Sequence, residues 1–199
     1  MSQIKELLTK QMLDLLDAET QLTQALPKMA EAANHPKLKE AFQKHLVQTE
    51  QQAERLRLGL SQLGVEARSE HCDAMAGLIK EGQKTIKEGA EMEPLAADLA
   101  LIAAAQRVEH YEISAYGTAR SLARQLRAPE CAQLLSHSLG EEESTDFLLT
   151  AISDPLVQQL ALDDAGADTN LDAVSPEAAA QKGQSSRRKK SPNQERGAA

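Results

Sequence analysis

Apolar side chains recur at three- and four-residue steps along five stretches of this 199-residue chain, the spacing of helices that each bury one face. In residues 3–32 the stripe is Ile4, Leu8, Met12, Leu15, Leu22, Leu26 and Met29, with Ser2 placed to cap the first turn. Pro27 falls inside this pattern, which continues beyond it, so a kink near residues 23–27 is expected and not a stop. A second helix, residues 36–63, opens at Asn34-His35-Pro36 and stops at Gly64. It carries Leu38, Phe42, Leu46, Thr49, Ala53, Leu56 and Leu60 on one face. After a polar connection at 65–70, residues 71–89 form a shorter helix with Cys72, Met75, Leu78, Ile79 and Ile86, weakened by Gly77 and Gly82. Glu93-Pro94 then starts a long helix, residues 94–119, striped by Leu95, Leu99, Ile102, Ala105, Ile113 and Tyr116. The last helix begins near Pro129 and runs to about Ile152, with Leu135, Leu139, Leu149 and Ile152 inward. Four long helices of this kind predict an all-α four-helix bundle.

Polar residues break these stripes in a consistent place. Glu19 sits between Leu15 and Leu22, Glu109 one turn before Ile113, and Glu142 between Leu139 and Leu149. Glu112 follows Glu109 by three residues and Asp146 follows Glu142 by four. A solvated carboxylate belongs on the opposite face of an amphipathic helix. Glu19, Glu109, Glu112 and Glu142 all lie near the middle of long helices, so a bundle brings them together at its centre. Four carboxylates there would repel one another and lose their hydration as well. A pair of cations such as iron or manganese, held by carboxylates and imidazoles, resolves both costs. Arg107, Arg120 and Arg124 are alternative partners for the same carboxylates. In the second helix His45, Gln48, Glu50 and Gln52 flank the stripe, and His110, off its own stripe, is either a support for the neighbouring ligand or an ordinary surface or interface histidine.

Composition narrows the class further. Hydrophobic residues make up 41% and aromatics only 2%, which favours helices packed by aliphatic side chains over a sandwich or barrel. Cys72 and Cys131 lie far apart, so a disulfide framework is not expected and a reducing, cytoplasmic setting is. No apolar run reaches membrane-spanning length. The net charge of −8 resides entirely in residues 1–162, read as the bundle domain, which disfavours nucleic acid as its partner. Residues 163–199 are read as a disordered, low-complexity tail with an acidic first half and a basic end, SSRRKKSPNQERGAA. One cluster of four basic residues is too small to hold nucleic acid or a membrane firmly at physiological salt. Ser/His/Asp or Cys/His catalysis and a glycine-rich phosphate loop find no support.

The segments ALPKMAEAA, AFQKHL, CDAMAGLIKEG, LIAAAQRVEHYEISAYGT and LGEEESTDFLLT closely resemble the YciE/YciF family of bacterial ferritin-like proteins, over about residues 3–155. The resemblance implies a ferritin-like four-helix bundle with an additional short helix in the crossover connection, homodimer formation and a role in stress responses. It also implies a rubrerythrin-like dinuclear centre in which Glu19, Glu109, Glu112 and Glu142 hold iron or manganese. Two departures bear on that centre. Relatives commonly read HLEET in the second helix where this chain has Val47-Gln48, which leaves Glu50 as the substitute acidic ligand after a small helix rotation or, otherwise, only Gln48 as a weak neutral oxygen donor. The last helix has Thr145, with Asp146 beside it, where a Glu-x-x-His pair would place histidine. Two functions follow: a dinuclear metal protein that reacts with oxygen or peroxide, or a non-enzymatic stress-response dimer or partner-binding protein with a degraded metal site.

Overall fold

The computed structural model describes residues 2–68 and 70–171, with side chains described to residue 166. Its elements are α1 (Gln3–Ala32), α2 (Pro36–Gln62), α3 (Asp73–Gly89), α4 (Pro94–Gln125) and α5 (Pro129–Leu171). The chain divides into two compact units, Met1–Gln158 and Gln159–Ala199. In the first, α1, α2, α4 and the α5 residues up to 158 form the predicted ferritin-like bundle, with short α3 in the crossover between α2 and α4. In the second, the described residues are helical to Leu171, and Gln159 Nε2 donates to Asp163 Oδ1 at 2.8 Å. Residues 172–199, which include the basic end, lie outside the described residues.

Several helix ends follow from local chemistry. Ser2 Oγ accepts from Lys5 N, and Pro36 takes a position in the first turn of α2 where its missing N–H costs nothing. Gly64, with φ of 69°, supplies the left-handed residue that ends α2. Cys72 precedes α3 as its cap, its Sγ accepting from Met75 N, so the helix starts two residues later than its apolar pattern suggests. α1 runs on through Pro27. α4 outlasts the expected end at 119 because Gly117 weakens the helix without ending it, and Ala119 and Ala123 continue the buried face to Gln125. α5 likewise passes Ile152 and Pro155, carried by buried Leu156, and its helical residues 163–171 fall within the segment read as tail.

The apolar core comes in two parts. One joins Leu22, Leu26, Leu38, Phe42, Leu101, Ile102 and Leu149; the other joins Leu8, Met12, Leu15, Leu56, Leu60, Ala119 and Leu135. Between them lies a layer of buried polar side chains, described below. At the outer end of the first part, Asp98 of α4 ties down the α1–α2 turn. Its carboxylate accepts from Asn34 N at 2.8 Å and His35 N at 2.7 Å while itself buried. Asp98→Ala leaves both N–H groups without that acceptor, and a loss of about 3 kcal/mol is expected in urea denaturation.

Candidate metal centre

The polar layer forms because each bundle helix carries polar residues where its inward heptad face crosses mid-height. α1 contributes Glu19; α2 contributes His45, Thr49 and Gln52; α4 contributes Glu109 and Glu112; α5 contributes Ser138, Glu142 and Thr145, and all are buried. His45, Glu109, Glu112 and Glu142 each place one nitrogen or oxygen within 4.8 Å of the others. His45 Nε2 lies 3.5 Å from Glu109 Oε1 and 3.6 Å from Glu142 Oε2. Glu19 borders this group and accepts a hydrogen bond from the buried Tyr116 hydroxyl. Gln52 donates its amide to Glu142 and, at 3.1 Å, to Glu141, whose carboxylate is paired with Arg55.

Many donor atoms here are buried without a hydrogen-bond partner. They are one oxygen each of Glu19, Gln52, Glu109 and Glu142, both of Glu112, the Thr49 hydroxyl and His45 Nε2. Buried polar atoms are nearly always satisfied, and lone pairs facing one another at this density are an arrangement that a bound cation, or protons shared between the carboxyls, would satisfy. Among the described residues no lysine or arginine forms an ion pair with Glu19, Glu109, Glu112 or Glu142. Arg107, an alternative partner on the sequence, pairs instead with Glu81 at 3.2 Å in solvent.

The electrostatics follow from the same geometry. Burial first, and the Glu142 charge second, raise the carboxyls of Glu19 and Glu109 well above the usual range. Burial and then the charge of Glu19 do the same to Glu112. Burial raises Glu142 to about 7, against hydrogen bonds from Glu109 and Gln52 that lower it. His45 is pushed down to about 4 by burial, so its ring is neutral at neutral pH. Carboxylates and a neutral imidazole make a donor set that could hold a metal ion.

The structure therefore brings Glu109, Glu112 and Glu142 together and sets Glu19 beside them. It does not bring Glu50 in: that side chain is exposed on α2, and His45, one and a half turns earlier, faces the cluster. Asp146 also stays outside, half-buried on α5, accepting from Gln106 Nε2 at 3.0 Å and lying 3.5 Å from the exposed His110. His45 and Gln52 are the inward residues that the apolar stripe passed over.

Residues 3–162 match the family described as Domain of unknown function (DUF892). The chain is 42% identical over 154 residues to Protein YciF of Escherichia coli (strain K12), covering 77% of this chain and 92% of that protein. The crystal structure of the E. coli stress protein YciF superposes with a TM-score of 0.75 at 40% identity, covering 79% of this chain and 99% of that one. YcfI of Rhodopseudomonas palustris superposes with a TM-score of 0.70 at 36% identity, over 75% of this chain and 94% of that one.

Proposed function

Because the chain belongs to the family described as Domain of unknown function (DUF892), alongside the E. coli stress protein YciF, we propose that it is a stress-associated metal protein. Its buried centre holds iron or manganese, as a dinuclear pair, and reacts with oxygen or peroxide. The observation that carries this reading is the set of unpartnered carboxylate oxygens and His45 Nε2 at one buried point. When bound, the metal supplies one-electron redox chemistry toward oxygen or peroxide. His45, Glu109, Glu112 and Glu142 would hold it, and Glu19 of α1, with one unpartnered oxygen beside them, would add a fourth carboxylate. The Tyr116 hydroxyl keeps one Glu19 oxygen occupied and so fixes its rotamer. The two apolar halves of the core exclude water from the layer between them.

Anaerobic Fe(II) loading followed by oxygen or peroxide tests this reading. A near-ultraviolet ferric band is expected in the wild type and not in a Glu109→Ala/Glu142→Ala variant; equal behaviour of the two proteins rejects the assigned centre. One observation favours a second reading, a non-enzymatic stress-response dimer with a degraded site. The Gln52 amide takes up part of the Glu142 carboxylate, and an amide N–H cannot ligate a cation. Failure of wild-type protein to retain metal would select that reading.

A further inference from the structure

His45 can serve as a ligand only if its ring presents a lone pair to the cluster, and a residue of α5 is placed to decide this. A neutral imidazole carries one N–H, on either Nδ1 or Nε2. Nε2 has no hydrogen-bond partner; it stands 3.5 Å from Glu109 Oε1 and 3.6 Å from Glu142 Oε2, too far for a good hydrogen bond. Nδ1 lies 3.3 Å from the buried Thr145 hydroxyl. We propose that Thr145 is a positioning residue: its hydroxyl oxygen accepts from Nδ1–H of His45, which fixes the ring and turns the Nε2 lone pair toward the metal position. The inference rests on the metal reading above and assigns a role within it.

Two features of the fold support the assignment. Thr145 follows Glu142 by three residues, so both project from one face of α5 into the polar layer. A histidine at 145 would bring an imidazole from α5; here the imidazole arrives from α2, and α5 contributes the short hydroxyl that its ring leans on. Ligating histidines ordinarily have their second nitrogen held by such an outer partner, and losing the partner weakens metal binding by about 10–100-fold. Gln48, one turn along α2, also favours the protonated ring, but it is only half-buried. The Thr145 contact is enclosed.

Nitrogen-15 NMR of histidine-labelled protein without metal reads the tautomer directly, and titration with Co(II) alone reads the affinity. The wild type is expected to show His45 protonated on Nδ1. Thr145→Val, of similar shape, is expected to give a mixture of tautomers and about 10–100-fold weaker Co(II) binding, and Thr145→Ser to restore both. Far-ultraviolet circular dichroism confirms that each variant is folded. Protonation on Nε2 in the metal-free wild type overturns the proposal even if Thr145→Val fails to fold. So does a folded Thr145→Val that keeps the wild-type tautomer and affinity. If the wild type shows the Nδ1–H tautomer but binds no Co(II), the metal reading falls and the ligand role falls with it, while the hold of Thr145 on the ring stands.

Discussion

Replacing Glu109 and Glu142 together by glutamine is expected to stabilise the metal-free bundle and to abolish its stabilisation by metal. The amides match the carboxyls in shape, so the change removes charge without opening a cavity. In the metal-free protein both groups carry a burial penalty and repulsion from the remaining acidic neighbours. For Glu142, raised from 4.5 to about 7, the penalty at neutral pH and above is about 3 kcal/mol, which in a chain of this size corresponds to a Tm about 6–12 °C higher on neutralisation. The metal response moves the other way. A ligand at about 100 times its Kd stabilises the native state by about 2.7 kcal/mol, and the wild type should gain this from Mn(II) while the variant gains nothing. Thermal melts with EDTA and with Mn(II) read both effects. A variant that is less stable without metal, or that still responds to Mn(II), would show that these carboxylates are satisfied by protein groups.

The metal-free wild type is also expected to lose stability as pH rises from about 4.5 through about 7, the reverse of ordinary acid denaturation. A carboxyl with a raised native pKa binds more protons folded than unfolded in that window. The slope of unfolding free energy with pH is then negative, and the stability present at low pH is lost through the native pKa. Glu142 alone contributes about 3 kcal/mol of this fall, and Glu19, Glu109 and Glu112, raised in the same direction, add to it. His45 opposes them: lowered to about 4, it favours the folded state as pH rises between about 4 and about 6.5. One group against four leaves the carboxyls in control. Urea midpoints near pH 5.5 and pH 8 measure the slope, and saturating Mn(II) should flatten it by replacing protons with a cation. A midpoint that rises with pH in EDTA would mean that the four carboxyls are ionised and paired in the native state.

The bundle and most of its buried polar layer were legible in the sequence for a single physical reason: burial makes a polar residue on an apolar stripe costly, and the cost marks it. Glu19 completes an unbroken run of three- and four-residue steps, Leu8, Met12, Leu15, Glu19, Leu22, Leu26 and Met29, every member of which is buried. Glu109, Glu112 and Glu142 stand out in the same way. α2 was harder because its polar residues are adjacent on the inward face. The buried line is Leu38, Phe42, His45, Thr49, Gln52, Leu56 and Leu60, but apolar Leu46 beside His45 draws a hydrophobic stripe one residue aside. Testing the heptad steps outward from Leu38 and Leu56, without requiring the steps between to be apolar, would have found His45 and Gln52.

Glu50 and Asp146 show the converse. Each is acidic and close in sequence to the centre, yet helix geometry turns Glu50 to solvent and Asp146 toward Gln106. Helix length was the least legible feature. Gly117 and Pro155 look like interruptions locally, and only the packing of Ala119, Ala123 and Leu156 against the rest of the bundle keeps those helices running.

Anomalous diffraction from crystals soaked anaerobically in Mn(II) or Fe(II) tests the centre most directly. The expected result is a peak in the buried layer, bounded by His45 Nε2 and the carboxylates of Glu109, Glu112 and Glu142, with Glu19 adjoining. Density confined to surface carboxylates, or none at all while those four acidic side chains keep their places, would contradict a metal centre here.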